Sequence, residues 1–155
     1  MRALLLLLFV PAALVLARPA GDDPVPSPDL TPAAVVRIQV EALQANDEPH
    51  PDAGIEAAFR FASPGNRRAT GPLPRFTRMI REGYGDMLGF AAAEYDLIRV
   101  EGDRAAQRVT LVQPDGRRVA YVFGLSRQRG GDCDGCWMTD AVVPTDAPPS
   151  RTQRT

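Results

Sequence analysis

The sequence predicts an α+β domain in which three helices lie on one face of a curved, four-stranded antiparallel sheet. Two observations carry this expectation. Before Phe90 the apolar residues recur at i, i+3, i+4 and i+7, the period of a helix with one buried face; after it the period changes to two. The strand-like runs are joined by turn chemistry, Gly102-Asp103, then Pro114-Asp115-Gly116, then a glycine-rich loop, so consecutive strands form hairpins and the sheet is a sequential meander. With 155 residues and 45% hydrophobic content, the chain suits one domain able to bury a core without staples.

The ends are different in kind from the middle. Arg2 supplies a minimal positive start, residues 3–16 are unbroken apolar sequence, and Val15 and Ala17 form a cleavable V-x-A, so residues 1–17 read as a secretory signal peptide. The run is shorter than the roughly 20 residues of a membrane span. Export with cleavage is therefore expected, with no stable membrane insertion afterwards, the alternative being an uncleaved signal that anchors the chain. Residues 18–29 and 144–155 are too rich in proline and too poor in apolar residues to pack. They read as an extended tether and a disordered tail, leaving residues 30–143 as the folded unit, without internal repeats.

The first helix starts at Thr31 as N-cap with Pro32 at the first helical position and runs to about Asn46. Val35, Val36, Ile38, Val40, Ala42 and Leu43 cover a broad apolar arc, and Gln39 falls near its middle. A buried amide needs partners, which leaves two readings: Gln39 faces a polar-lined pocket, or it is a core amide satisfied by a neighbouring backbone. Asp47, Glu48, His50 and Asp52 gather acids around the only histidine. The intervening prolines make a solvated loop, which holds no rigid ligand geometry, so no metal site is expected there. The second helix covers 52–62 and stops at Ser63-Pro64. The third covers 72–82, burying Phe76, Met79 and Ile80.

Strands are expected at 92–100, 105–112, 117–125 and 136–143. In the third, Val119, Tyr121, Phe123 and Leu125 share one face. The last hairpin carries Cys133-Asp134-Gly135-Cys136. Such a pair in an exported chain is a local disulfide, two unpaired thiols, a redox dithiol or half a zinc site. The hairpin context lacks the helix N-terminus that thioredoxin-like chemistry uses, and two further zinc ligands are wanting. A disulfide here closes a loop so short that it adds roughly 0 to 2 kcal/mol to stability. Trp137 reads as core or as a recognition platform. Arg127 and Asp140, polar residues on adjacent strands, are expected to pair.

Several runs together resemble the family known as domain of unknown function 4864: Val35-Val36-Arg37-Ile38-Gln39, Asn46-Asp47-Glu48-Pro49, residues 58–64 (AFRFASP), Gln107-Arg108-Val109, and Gly135 to Asp140. The order of elements is similar to the nuclear-transport-factor-like, ketosteroid-isomerase-like superfamily. That resemblance implies a cone-like, cystatin-like roll enclosing a pocket for small, often apolar molecules, in members that are enzymes or binders. It assigns no catalytic residue to this chain.

Eighteen basic against nineteen acidic residues, scattered rather than bunched, give no field for nucleic acid. The expected function is an exported, non-enzymatic domain that binds a small molecule or another exported protein. Its candidate pocket residues are Gln39, Tyr121, Arg127, Trp137 and Asp140, with a candidate disulfide at Cys133 and Cys136 and no cofactor or metal. The alternative is a small hydrolase or isomerase using a buried carboxylate, of which Asp140 is a better candidate than Asp47 or Glu48.

Overall fold

A computed structural model describes residues 23–148. Helix α1, Pro32–Gln44, starts as its sequence dictates, with the Thr31 hydroxyl accepting from the Ala34 N–H at 3.2 Å and Pro32 at the first position. It buries Val35, Val36, Gln39, Val40 and Leu43. Helix α2, Ala53–Arg60, is launched by Asn46 rather than by its own flanking residue. The Asn46 side-chain oxygen accepts from the Ile55 N–H at 3.1 Å, and its carbonyl accepts from the Gly54 N–H at 2.9 Å. A buried amide at the end of one helix thus satisfies the open donors of the next.

Helix α3, Pro64–Thr70, departs from expectation. Ser63-Pro64 ends α2 but also begins another helix: the Ser63 hydroxyl accepts from the Asn66 N–H at 3.2 Å and Pro64 takes the first position, the same start as α1. None of its residues is buried, so no apolar period announces it. With α4, Leu73–Gly83, which buries Phe76 and Ile80, there are four α-helices among the described residues rather than three.

The strands are β1 (Ala92–Tyr95), β2 (Arg99–Glu101), β3 (Arg104–Val112), β4 (Arg118–Arg127) and β5 (Trp137–Thr145), all paired antiparallel in the order β1-β3-β4-β5, with β2 also on β3. The sequential meander is as expected, but the run 92–100 is two strands, making five among the described residues. β1 pairs with one half of β3 and β2 with the other. Between them the Gln107 amide, facing inward from β3, donates to the Asp96 carbonyl at 2.8 Å. A side chain takes the carbonyl there, while the Asp96 N–H still donates to the Arg108 carbonyl at 3.0 Å, and Leu97 is turned out, 94% exposed. Tyr121, Phe123 and Leu125 are buried on the face that carries Ala105, Val109 and Leu111, and they meet α1, α2, α4 and Trp137 in one core. β5 continues through Pro144 to Thr145, beyond the expected end.

Residues 23–31 form neither helix nor strand, yet Asp23 pairs with Arg60 at 3.3 Å and Leu30 packs on the core. The signal-like run, residues 1–17, lies outside the described residues. Among the described residues no helix is long and apolar enough to cross a membrane.

Two ion pairs tie loops to helices and make acid stability predictable. Burial of Asp52 raises its pKa, but hydrogen bonds from Arg81 (2.9 Å) and Asn46 outweigh it and hold the carboxyl below its ordinary value. The bidentate Arg117 guanidinium does the same for Asp86, at 2.9 and 3.0 Å. A carboxyl depressed in the folded state adds stability above its unfolded pKa of about 3.9, and that stability is lost as pH falls through the folded value. The unfolding midpoint in urea is therefore expected to drop below about pH 4, and less steeply in Asp52→Asn and Asp86→Asn. Identical acid slopes in wild type and variants would refute the assignment.

Candidate functional site

The four helices and the β4-β5 side of the sheet line a cavity of about 260 Å³ that opens to solvent. Its position follows from how the α2-α3 corner meets the sheet. At Thr139 the outer edge of β5 is taken by the residues after α2: the Thr139 N–H donates to the Phe61 carbonyl at 2.8 Å and the Ser63 N–H donates to the Thr139 carbonyl at 2.9 Å, a short parallel bridge. The next residue is the extra one of a β-bulge, since Leu125 pairs with Thr139 and Gly124 with Ala141. The bulge leaves Asp140 exposed at the cavity's rim.

The interior is apolar, with Leu43, Phe76, Met79, Ile80, Met87 and Phe123 as its main surfaces. Three of its polar side chains, Gln39, Thr139 and Asn66, are bound into one network. The Gln39 amide nitrogen donates to the Thr139 hydroxyl at 2.7 Å and to the Val35 carbonyl at 3.3 Å. A carbonyl can only accept, so the nitrogen must face Val35, and the amide's orientation is fixed. Asn66 donates to the Thr139 carbonyl at 3.1 Å, and the Tyr84 hydroxyl donates to the Val142 carbonyl at 3.4 Å. Gln39 therefore has the partners a buried amide requires, the Val35 backbone among them, and it lines a cavity whose surfaces are mostly apolar rather than polar.

Of the five residues expected to share a pocket, Gln39 and Asp140 are in this lining. Tyr121 is buried one layer away, its ring 6.0 Å from that of Tyr84, and burial pushes its phenol pKa up. Trp137 is in the core. Arg127 is exposed and does not meet Asp140: the register sets it opposite Trp137, and its guanidinium donates to the Gly135 carbonyl at 3.1 Å. Asp140 in solvent is likewise not the buried carboxylate of the hydrolase or isomerase alternative. Thr139, Asn66 and Tyr84 were not anticipated. Counting by twos inward from Trp137 reaches Thr139, and Tyr84 follows Ile80 by four residues at the end of α4, whereas Asn66 lies on α3, which has no apolar period.

Cys133 and Cys136 are joined in a disulfide, with Cys136 fully buried and Gly135 between them at φ 81°. The hairpin end is also held by its backbone, Gln128 N–H to the Cys136 carbonyl at 2.8 Å and Gly135 N–H to the Gln128 carbonyl at 2.9 Å. Reduction should therefore lower stability by at most about 2 kcal/mol. Melting of reduced and oxidised protein checks this, and loss of cooperative unfolding on reduction would overturn it. Replacement is better made with alanine than serine, since a hydroxyl at position 136 is buried without an assigned partner.

The loop of Asp47, Glu48 and His50 is exposed, with the His50 ring 3.1 Å from the Pro51 carbonyl and 3.9 Å from Glu56. Beside it a hollow of about 420 Å³ is lined by Gln44, Glu48 and Arg81 among others, but Arg81 is already engaged by Asp52. Among the described residues, no group of three or more His, Cys, Asp or Glu side chains could hold a metal ion.

Residues 28–151 match the model of a family described as Domain of unknown function (DUF4864). No curated protein and no solved structure matches the chain.

Proposed function

The chain belongs to the DUF4864 family, and from its own geometry we propose that it is a binding module for a small, largely apolar molecule rather than an enzyme. The observation that carries this is the cavity under the helices. At about 260 Å³ it is somewhat smaller than the roughly 300–1,000 Å³ of drug-sized sites, so it fits a single ring or a short chain. Its polar atoms are few and fixed by the Gln39-Thr139-Asn66 network, which suits orientation of a ligand more than proton transfer. The proposal takes the helices and the bulged sheet as a cone-like roll, supported by the order of elements and by the bulge at Asp140. It takes the module as exported, supported by the composition of residues 1–17.

Titration of the labelled protein with phenol, cyclohexanol and octanol tests the reading by NMR. Shifts should centre on the amides of Gln39, Met79, Phe123 and Thr139, and Ala69→Trp, at an exposed position of the lining, should abolish them. Failure of all three to bind at millimolar concentration, or binding indifferent to Ala69→Trp, would end the proposal. Mass spectrometry of the mature protein tests export separately, with Arg18 expected as the first residue.

A further inference from the structure

We infer that the cavity selects apolar molecules carrying an amine head over those carrying a carboxylate. The inference rests on the binding reading above and concerns the charge of the ligand. Among the described residues that line the cavity, Asp140 carries the one charged side chain, at the exposed rim. No arginine or histidine lines it. The helical spacing explains why: Asn66, Ala69 and Thr70 of α3, and Phe76, Met79 and Ile80 of α4, face the cavity at i, i+3 and i+4, which puts Arg67, Arg68, Arg75 and Arg78 on the other arcs. Arg67 is in any case spent on the Arg60 carbonyl and the Phe59 ring.

The neutral groups point the same way. Both hydrogens of the Gln39 amide nitrogen are given to Val35 and Thr139, so the function it has left for a ligand is its carbonyl oxygen. The Tyr84 hydroxyl hydrogen goes to the Val142 carbonyl, again leaving an acceptor. Against these stand the Thr139 hydroxyl, whose oxygen accepts from Gln39 and whose hydrogen can donate, and the Asn66 amide. An ammonium head meets a carboxylate and acceptors. A carboxylate head would be desolvated beside a like charge with two neutral donors to replace its water, and a buried charge without a countercharge is disfavoured.

The experiment compares octylamine, octanol and octanoate, which share one apolar body, by calorimetric titration of the full chain at neutral pH. Octylamine is expected to bind about tenfold more tightly than octanoate, with octanol between them, the two rim-charge effects acting in opposite directions. Asp140→Asn should bring octylamine to the affinity that octanol has for the same variant. Ala69→Trp should weaken all three, which separates entry into the cavity from ion pairing on the surface. Octanoate binding as tightly as octylamine would overturn the inference while leaving the binding reading intact, and so would an amine preference that survives Asp140→Asn or Ala69→Trp. If none of the three binds, the binding reading itself fails.

Discussion

Gly54→Ala should destabilise the protein by about 3 kcal/mol or more, even though alanine is the better helix former by about 1 kcal/mol. Gly54 sits in the first turn of α2, where it passes the end of α1. A Cβ built there lies 2.1 Å from the Ala42 carbonyl oxygen, 2.7 Å from its carbon and 2.8 Å from the Asn46 Cα. All three are backbone atoms and cannot rotate aside. The Gly54 N–H also bonds the Asn46 carbonyl, so moving α2 outward would break the contact that launches it. Against a total stability of roughly 5–15 kcal/mol, the loss is large. Gly83→Ala supplies the control, because nothing lies within 4 Å of a Cβ at that position in α4. Urea unfolding should give a lowered midpoint for Gly54→Ala and a near-neutral one for Gly83→Ala. A Gly54→Ala protein as stable as wild type would mean that α1 and α2 are not in this contact.

Gln39→Ala should cost about 2–4 kcal/mol. The substitution removes packing volume from a residue that is 3% exposed and takes away the hydrogen bond that the 1%-exposed Thr139 accepts. Gln39→Leu separates the two contributions, since it keeps most of the volume and loses the amide with its hydrogen bonds, for about 1–3 kcal/mol. A double-mutant cycle with Thr139→Val is the sharper measurement. The Gln39–Thr139 contact predicts a coupling of about 1 kcal/mol or more, and strictly additive losses would show that the two side chains do not meet. The cycle also bears on the cavity, because the same pair sets which atoms face it.

Much of the fold was legible because it is written in local patterns. Thr31-Pro32 marks a helix start by its chemistry alone, Pro114-Asp115-Gly116 marks a hairpin, and alternation along β4 names the buried face. What went unread has a common cause. α3 buries none of its residues, so no apolar period follows Ser63-Pro64 to distinguish a helix start from a helix stop. The break between β1 and β2 is made by Gln107, a residue eleven positions away in sequence whose amide takes the Asp96 carbonyl. A period-two pattern continues through such a break without trace.

The candidate site divides along the same line. The sequence by itself determined that Gln39 lies on an apolar arc and must find partners, because helical spacing and the cost of an unpaired buried amide are local facts. It also placed Asp140 in the last strand and the two cysteines within reach of each other. Only the tertiary structure decided that the partner of Gln39 is Thr139, one hundred residues on. It alone placed Asp140 at the bulge and so in solvent, and turned Arg127 toward Gly135 instead. The bulge lies beside the bridge that joins the α2-α3 corner to the edge of β5, and a contact between such distant segments leaves no periodic mark in either one.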